Sequence, residues 1–356
     1  MSLNALSAEG DVRSAELKSA GASSWSLDKL QDVPEHLRGA YVVVGNFDGV
    51  HRGHREIIKR ASKMARVDGR RVVAITFDPH PRVVLAPHEP FVQLTGPAEK
   101  ARLLKEAGVD DVITLKFDAG MASLQPEAFV QQVLTRGFEP ERIIASRNFR
   151  FGKKRIGGVT QLAELGPCAG MTVEVIPPLV LMESDETITS TAVRSRLALG
   201  DVKAANNLLG RRWTMEGIVV HGDKRGRQLG FPTANLDPFH DARIGFGIYA
   251  VRVLIDGKIA NGVACYGTRP QFDDGAPRLE VHILDFSGDI YGAQLLVEFV
   301  AFQRSERTFV NVSALTKQID ADCLSARRLL SSDFQEPAIE SVLDRRACAI
   351  ASADGH

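Results

Sequence analysis

Two histidines, His51 and His54, flank Gly53 in the stretch GNFDGVHRGH (residues 45–54). The stretch follows the apolar run YVVV and precedes the helical pattern IIKRASKMA. Glycines let a backbone approach a ligand closely, and a helix beginning near His54 would offer unpaired N–H groups at its positive end. The GxxxxGK[ST] pattern is missing, so this is not a P-loop whose lysine reaches the β- and γ-phosphates. Imidazoles placed here could instead donate hydrogen bonds to an α-phosphate as charge builds on its oxygens, which suits nucleotidyl transfer. A merely polar turn is the competing reading of these residues.

Further chemistry-bearing stretches follow. In ITSTAVR (residues 188–194), Ser190 or Thr191 could cap a helix, with Arg194 one turn in to meet phosphates; an ordinary helix start explains the pattern equally. SRNFRFGKKRIGG (residues 146–158) mixes cations with aromatics, which suits a phosphate tail and a flat ring, or a bland surface loop. In GDKRGRQLGFPTANL (residues 222–236), Thr233 and Asn235 project from one face of an extended piece, with Ala234 and Leu236 on the other. A hydroxyl and a carboxamide oxygen are hard ligands that could complete a Mg²⁺ shell shared with ATP phosphates. The glycines Gly222, Gly226 and Gly230, with Lys224 and Arg225, read as a flexible flap over phosphates, or as a floppy hairpin. In RLEVHILDF, Glu280 and His282 share one strand face, and a carboxylate there could act as general base toward a hydroxyl. A solvated strand face is the rival explanation.

These stretches need elements to hold them. The apolar runs YVVVGNF, RVVAITF, DVITLKF, RIIAS and MTVEVI alternate with helical patterns, which predicts βαβ units and a parallel sheet covered on both faces. Ligands of such sheets sit at the carboxyl ends of strands, where GNFDGVHRGH leaves the first. Residues 190–209 read as one or two helices interrupted near Gly200. Beyond Trp213 short strands with Gly-rich connections suggest a small antiparallel barrel, with a hairpin turn at Asp256-Gly257 and a closing helix over roughly residues 312–330.

The bulk numbers exclude several classes. At 356 residues the chain is long enough for two domains with separate cores. Lys+Arg and Asp+Glu are both 44, so no overall field favours nucleic acid or an anionic membrane. The four cysteines lack metal spacing, and no segment reaches the length of a transmembrane helix. The N-terminal stretch lacks an apolar signal core and reads as a mobile tail; a cytoplasmic location is expected.

The ordered set GNFDGVHRGH, TFDPHPR, NFRFG, STAVR, GRQLGFPTAN, LEVHILDF-x4-YG and RSERTF resembles the prokaryotic bifunctional riboflavin kinase/FAD synthetase family over residues 41–330. The resemblance implies an α/β, Rossmann-like N-terminal nucleotidyltransferase domain that joins AMP from ATP to FMN, giving FAD and pyrophosphate. It also implies a C-terminal antiparallel six-stranded β-barrel with a terminal helix, which phosphorylates the ribityl 5′-hydroxyl of riboflavin. The expected division is a tail at 1–25, an adenylyltransferase at 26–187, a bridging helical segment at 188–210, a kinase at 211–331 and a tail at 332–356.

Carried over residue by residue, His51 and His54 are catalytic in the first reaction. Gly45, Asn46, Phe47, Asp48, Gly53, Ser190, Thr191 and Arg194 bind its ATP phosphates. Asn148, Phe149 and Arg304 fall on the flavin side. In the kinase, Glu280 is the base, Thr233 and Asn235 hold the metal, and Gly222, Lys224, Gly230 and Pro232 bind ATP. The implied cofactor is Mg²⁺, with ATP as co-substrate. The implied partners are riboflavin, FMN and ATP, with no nucleic acid and no membrane, for a monomer or transient homo-oligomer. Some positions depart from the family's pattern: Ser146 stands for Gly, Lys154 and Ile156 for Gly and Ser, Gln271 for Thr and Thr308 for Lys. A riboflavin kinase with a degenerate N-terminal module is the alternative.

Overall fold

A computed structural model describes residues 24–333, apart from 183, 224, 240 and 269–276. Lys224, Gln271 and most of both expected tails lie outside the described residues. The chain divides between Ser190 and Thr191 into two compact units.

The first unit is a parallel sheet of six strands. They are β1 (Ser24–Trp25), β2 (Tyr41–Val44), β3 (Val72–Asp78), β4 (Asp111–Lys116), β5 (Arg142–Ser146) and, after a two-stranded ladder of β6 (Arg150–Phe151) and β7 (Gly157–Gly158), β8 (Thr172–Ile176). Their spatial order is β1-β4-β3-β2-β5-β8. Alternate residues of each strand enter two different cores: Val42 and Val44 pack with Ile75 and Leu115 on one face, Tyr41 and Val43 with Ile57 and Ile58 on the other. Burial on both faces explains why the strands read as unbroken apolar runs. The edge strand β1 corrects the expected tail at 1–25, since Ser24 and Trp25 pair with Thr114 and Leu115. Two residues are too short for any periodicity to announce a strand.

Between β2 and β5 the order of connections reverses, β3 and β4 lying to one side and β8 to the other. In an open α/β sheet this reversal opens a crevice at the carboxyl ends of the two strands. GNFDGVHRGH leaves β2 there, and the basic-aromatic loop leaves β5.

The second unit begins within the helix Ser190–Ala198, which is followed by the helix Val202–Leu209 after a break where Gly200 adopts φ +75°. The segment expected as a bridge packs within this unit: Asn206 donates to the Phe299 carbonyl (3.0 Å) and accepts from the Trp213 N–H (2.7 Å). The closed antiparallel barrel has six strands: β9 (Trp213–Val220), β10 (Ala234–Pro238), β11 (Gly247–Ile255), β12 (Lys258–Gly267), β13 (Arg278–Ile283) and β14 (Gln294–Arg304). Asp256 and Gly257, at φ +46° and +72°, form the two-residue turn joining β11 to β12. The terminal helix Val312–Ser331 packs on the barrel through Ala326 and Leu330.

Candidate active sites

The turn after β2 is wound tightly. Phe47, Gly49 and Val50 all have positive φ (+49°, +81° and +39°), a conformation that costs energy at the two non-glycine positions. The helix that follows spans Arg52–Val67, beginning two residues before His54. His51 is its N-cap, with Nδ1 accepting from the His54 backbone N–H at 3.4 Å. One helix-end donor is thereby used by His51 itself, and the proton of the neutral ring sits on Nε2.

The His51 and His54 rings stack at 3.6 Å, and Phe47 meets His54 edge-on at 5.2 Å. Gly53 is required here: a Cβ would lie 3.1 Å from the His51 ring and 3.4 Å from the Ile188 carbonyl oxygen. Burial, then His51 and Lys100, hold the His54 imidazole well below the usual histidine range, so it is neutral at pH 7. Its Nδ1 is buried without a hydrogen-bond partner.

Asp48 and Ser190, expected at the phosphates, also make hydrogen bonds within the protein. The Asp48 carboxylate accepts the backbone N–H groups of Leu94 (2.9 Å) and Thr95 (3.3 Å). Ser190, already inside its helix, donates to the Asp48 carbonyl at 2.8 Å and does not cap. Both hold the turn in shape. Thr191 and Arg194 lie on the same helix, Arg194 one turn further on.

Beside the turn opens a cleft walled by Phe77, Phe117, Phe129, Phe149 and Phe151. Asn46 lines it too, so the aromatic cleft and the histidine turn share a wall; Arg150 and Arg155 supply its cations. Asn148 is exposed in the turn after β5 and does not line the cleft, whereas Phe149 does. Gly152 takes φ +73° with its Cβ position 2.9 Å from Pro126. Ser146 ends β5 without a left-handed φ, so its backbone does not demand glycine; Lys154 does have one, at +55°.

In the second unit Asn235 on β10 stands opposite Glu280 on β13. Thr233 Oγ1 donates to Glu280 Oε2 at 3.4 Å. Asn235 Oδ1 is buried without a partner, and Gly222 packs so closely that a Cβ there would lie 2.2 Å from Asn235 Nδ2. His282 Nδ1–H donates to the Pro232 carbonyl at 2.8 Å, fixing the extended piece that carries Thr233. Pro232 and Thr233 line a cleft of about 250 Å³ whose far wall is Phe286, Asp289 and Tyr291.

The expected floppy flap is more ordered than its glycines suggest. Arg225–Gln228 forms a helical turn, closed by the Phe231 N–H on the Gly226 carbonyl (2.8 Å). A Cβ at Gly226 would lie 2.4 Å from the Phe231 oxygen, so this glycine serves close approach rather than mobility. Gly230 takes φ +87° at the end of the turn. Arg304, expected on the flavin side, forks onto Asp322 of the terminal helix (2.9 and 2.6 Å) and donates to the Ser305 carbonyl. Its guanidinium anchors the loop after β14. Beside Glu280, burial and the carboxylates Glu306 and Glu280 push the Cys265 thiol up to about 12.

Three site residues lie outside every chemistry-bearing stretch singled out in the sequence: Phe117, Phe129 and Lys100. Lys100 left a trace, since in PAEKARLLKEA it falls on the face of Leu103 and Leu104. The others come from separate elements and share no local pattern.

Among the described residues, no group of three or more His, Cys, Asp or Glu could hold a metal ion, and no helix is long and apolar enough to cross a membrane.

The FAD synthetase family profile matches residues 33–192, and the riboflavin kinase profile matches residues 209–330. A bifunctional riboflavin kinase/FMN adenylyltransferase from Pseudomonas fluorescens is 39% identical over 297 residues, covering 83% of this chain and 94% of that one. Its counterpart from Bacillus subtilis is 35% identical over 306 residues, covering 84% and 95%. A crystal structure described as a macrolide-efflux protein from Streptococcus pneumoniae superposes with TM-score 0.76 at 32% identity, covering 85% of this chain and 98% of that one.

Proposed function

The chain belongs to the bifunctional riboflavin kinase/FMN adenylyltransferase family, and we propose that its two units divide the two reactions between them. It phosphorylates riboflavin to FMN and transfers an adenylyl group from ATP to FMN, giving FAD and pyrophosphate. The observation that carries the division is that Asn46 of the histidine turn lines an aromatic cleft in the first unit, while Thr233, hydrogen-bonded to Glu280, lines a cleft in the second.

In the first unit the aromatic walls accept the flat isoalloxazine ring, with its phosphate directed toward Asn46 and the histidine turn. That phosphate is already an anion at neutral pH, so it attacks the α-phosphorus of ATP without a strong base. The His51 Nε2–H and the neutral His54 ring stabilise charge as the bond to pyrophosphate breaks.

In the second unit Glu280 takes the proton of the 5′-hydroxyl while the γ-phosphoryl group passes to its oxygen. The cleft at Pro232 and Thr233 accepts ATP. Thr233 and Asn235 suit Mg²⁺, because the partnerless buried oxygen of Asn235 is a hard donor awaiting a ligand. A bound Mg²⁺ would neutralise charge on the ATP phosphates. Arg304 and Asp322 shape the flavin side from behind. A cytoplasmic location suits a chain whose substrates are soluble nucleotides and flavins.

The test is an end-point separation of flavins after incubation with riboflavin, excess ATP and Mg²⁺. Both FMN and FAD are expected. Arrest at FMN would leave the kinase standing and sink the adenylyltransferase assignment.

A further inference from the structure

We propose that Lys100 is a positioning residue for adenylyl transfer, its buried ammonium group supplying fixed positive charge beneath the GNFDGVHRGH turn. The proposal rests on reading that turn as the ATP site.

Lys100 is only 2% exposed and lies in the helix Pro97–Ala107, on the side of Leu103 and Leu104. A lysine is not kept so deep without partners, because water is lost from its charge. Its Nζ donates to the Phe77 carbonyl at 3.0 Å, near the carboxyl end of β3. Burial lowers the pKa of the ammonium group from its ordinary value, and the carboxylates Asp48, from the turn, and Asp78, from the end of β3, oppose that shift and favour its charge. Asp48 also accepts the N–H groups of Leu94 and Thr95, in the segment leading into the lysine's own helix. The turn, the strand end and the helix are therefore joined around one ammonium group.

The histidines need such a charge nearby. His51 accepts through Nδ1 and His54 is held neutral, so in this state both act as dipolar donors. Adenylyl transfer gathers negative charge on the phosphate oxygens, and a preorganised cation stabilises it at no cost in reorganisation. Lys100 is also one cause of the neutrality of His54, after burial and His51. The ionisable groups facing His54 are His51, at the cap of its own helix, and Lys100, from the Pro97–Ala107 helix; those facing Lys100 are Asp48 and Asp78. A simple staple would hold the helix equally well but would not act on the imidazole.

The test uses the full-length enzyme with Lys100→Met and Lys100→Arg, each checked for folding by thermal melting. FAD formation from FMN and ATP, riboflavin phosphorylation and the NMR titration of His54 are measured together. Lys100→Met should lower kcat for FAD formation roughly 100-fold, with KM for FMN changed by less than about threefold. Its His54 should titrate at higher pH than in the wild type. Lys100→Arg should restore part of the rate, and phosphorylation should not change in either variant. If Lys100→Met does not fold, Lys100→Gln carries the same test. An unmoved His54 titration, or a folded neutral variant keeping most of its kcat, would overturn the proposal. Wild-type enzyme that makes FMN but no FAD would instead overturn the reading of the site, and the His54 titration would still report on Lys100.

Discussion

Asn235 and Glu280 stand directly opposite one another on antiparallel strands β10 and β13, so their side chains leave the barrel on the same face. The Thr233 hydroxyl reaches the same carboxylate, at 3.4 Å. A carboxamide oxygen, a hydroxyl and a carboxylate thus converge, although the carboxylate comes from a different part of the chain. This register supports Glu280 as base and the pair Thr233 and Asn235 as metal ligands.

Glu280→Gln keeps the shape of the side chain and removes its basicity. FMN formation is expected to fall by roughly two orders of magnitude or more, while FAD formation from supplied FMN is retained. Flavin separation after single-substrate incubations measures both. Wild-type FMN formation would remove Glu280 from the mechanism.

His282 acts on the kinase site through the Pro232 carbonyl. His282→Asn keeps a donor near the position of Nδ1 and should retain most of the activity, whereas His282→Leu should raise the Mg²⁺ concentration needed for half-maximal rate. Equal Mg²⁺ titrations in the two variants would mean that the hydrogen bond does not position Thr233.

The neutral His54 makes stability depend on pH with a definite sign. Its folded-state pKa lies below the unfolded value, so the unfolded chain binds the extra proton between the two. Stability is complete above about pH 6.5 and declines as pH falls toward the folded pKa, by at most about 1.4 kcal/mol per unit from this group. Denaturation midpoints from pH 7 to pH 5 should fall more steeply for the wild type than for His54→Gln. Parallel curves would contradict a neutral buried imidazole.

Lys154 occupies a left-handed conformation (φ +55°, ψ +18°) in the loop beside the aromatic cleft. Glycine adopts that conformation without the Cβ penalty, so Lys154→Gly should relieve strain of about 1 kcal/mol, offset in part by the freer unfolded chain. A raised melting temperature with unaltered kinase activity is the expected result. A lowered one would mean that the lysine side chain contributes more than its backbone costs.

Much of the fold was legible in the chain itself. Five strands of the first unit and all six of the barrel coincide with apolar or alternating runs, and Asp256-Gly257 marks its hairpin. The helical stripe Ile57, Ile58, Ala61 and Ala65 is buried as its spacing requires. These features are local: backbone geometry repeats every two or 3.6 residues, and burial writes that period into residue type. The glycine-histidine turn and the Thr233–Asn235 pair were legible for the same reason, since each is a run of near neighbours in sequence.

What no local pattern could carry was decided by tertiary structure. Pairing register sets Glu280 opposite Asn235, and the reversal of strand order beside β2 opens a crevice for phenylalanines from several separate elements. Close packing also brings Asp48 against the N–H groups of Leu94 and Thr95, and Ser190 against the Asp48 carbonyl, contacts that neither residue type announces. Arg304 likewise turns to Asp322. Lys100 reads as one more helix lysine until the fold buries it beneath the turn. The physical reason is common to these cases: residue type states which bonds a side chain can form, and only the packed fold determines which partners come within reach.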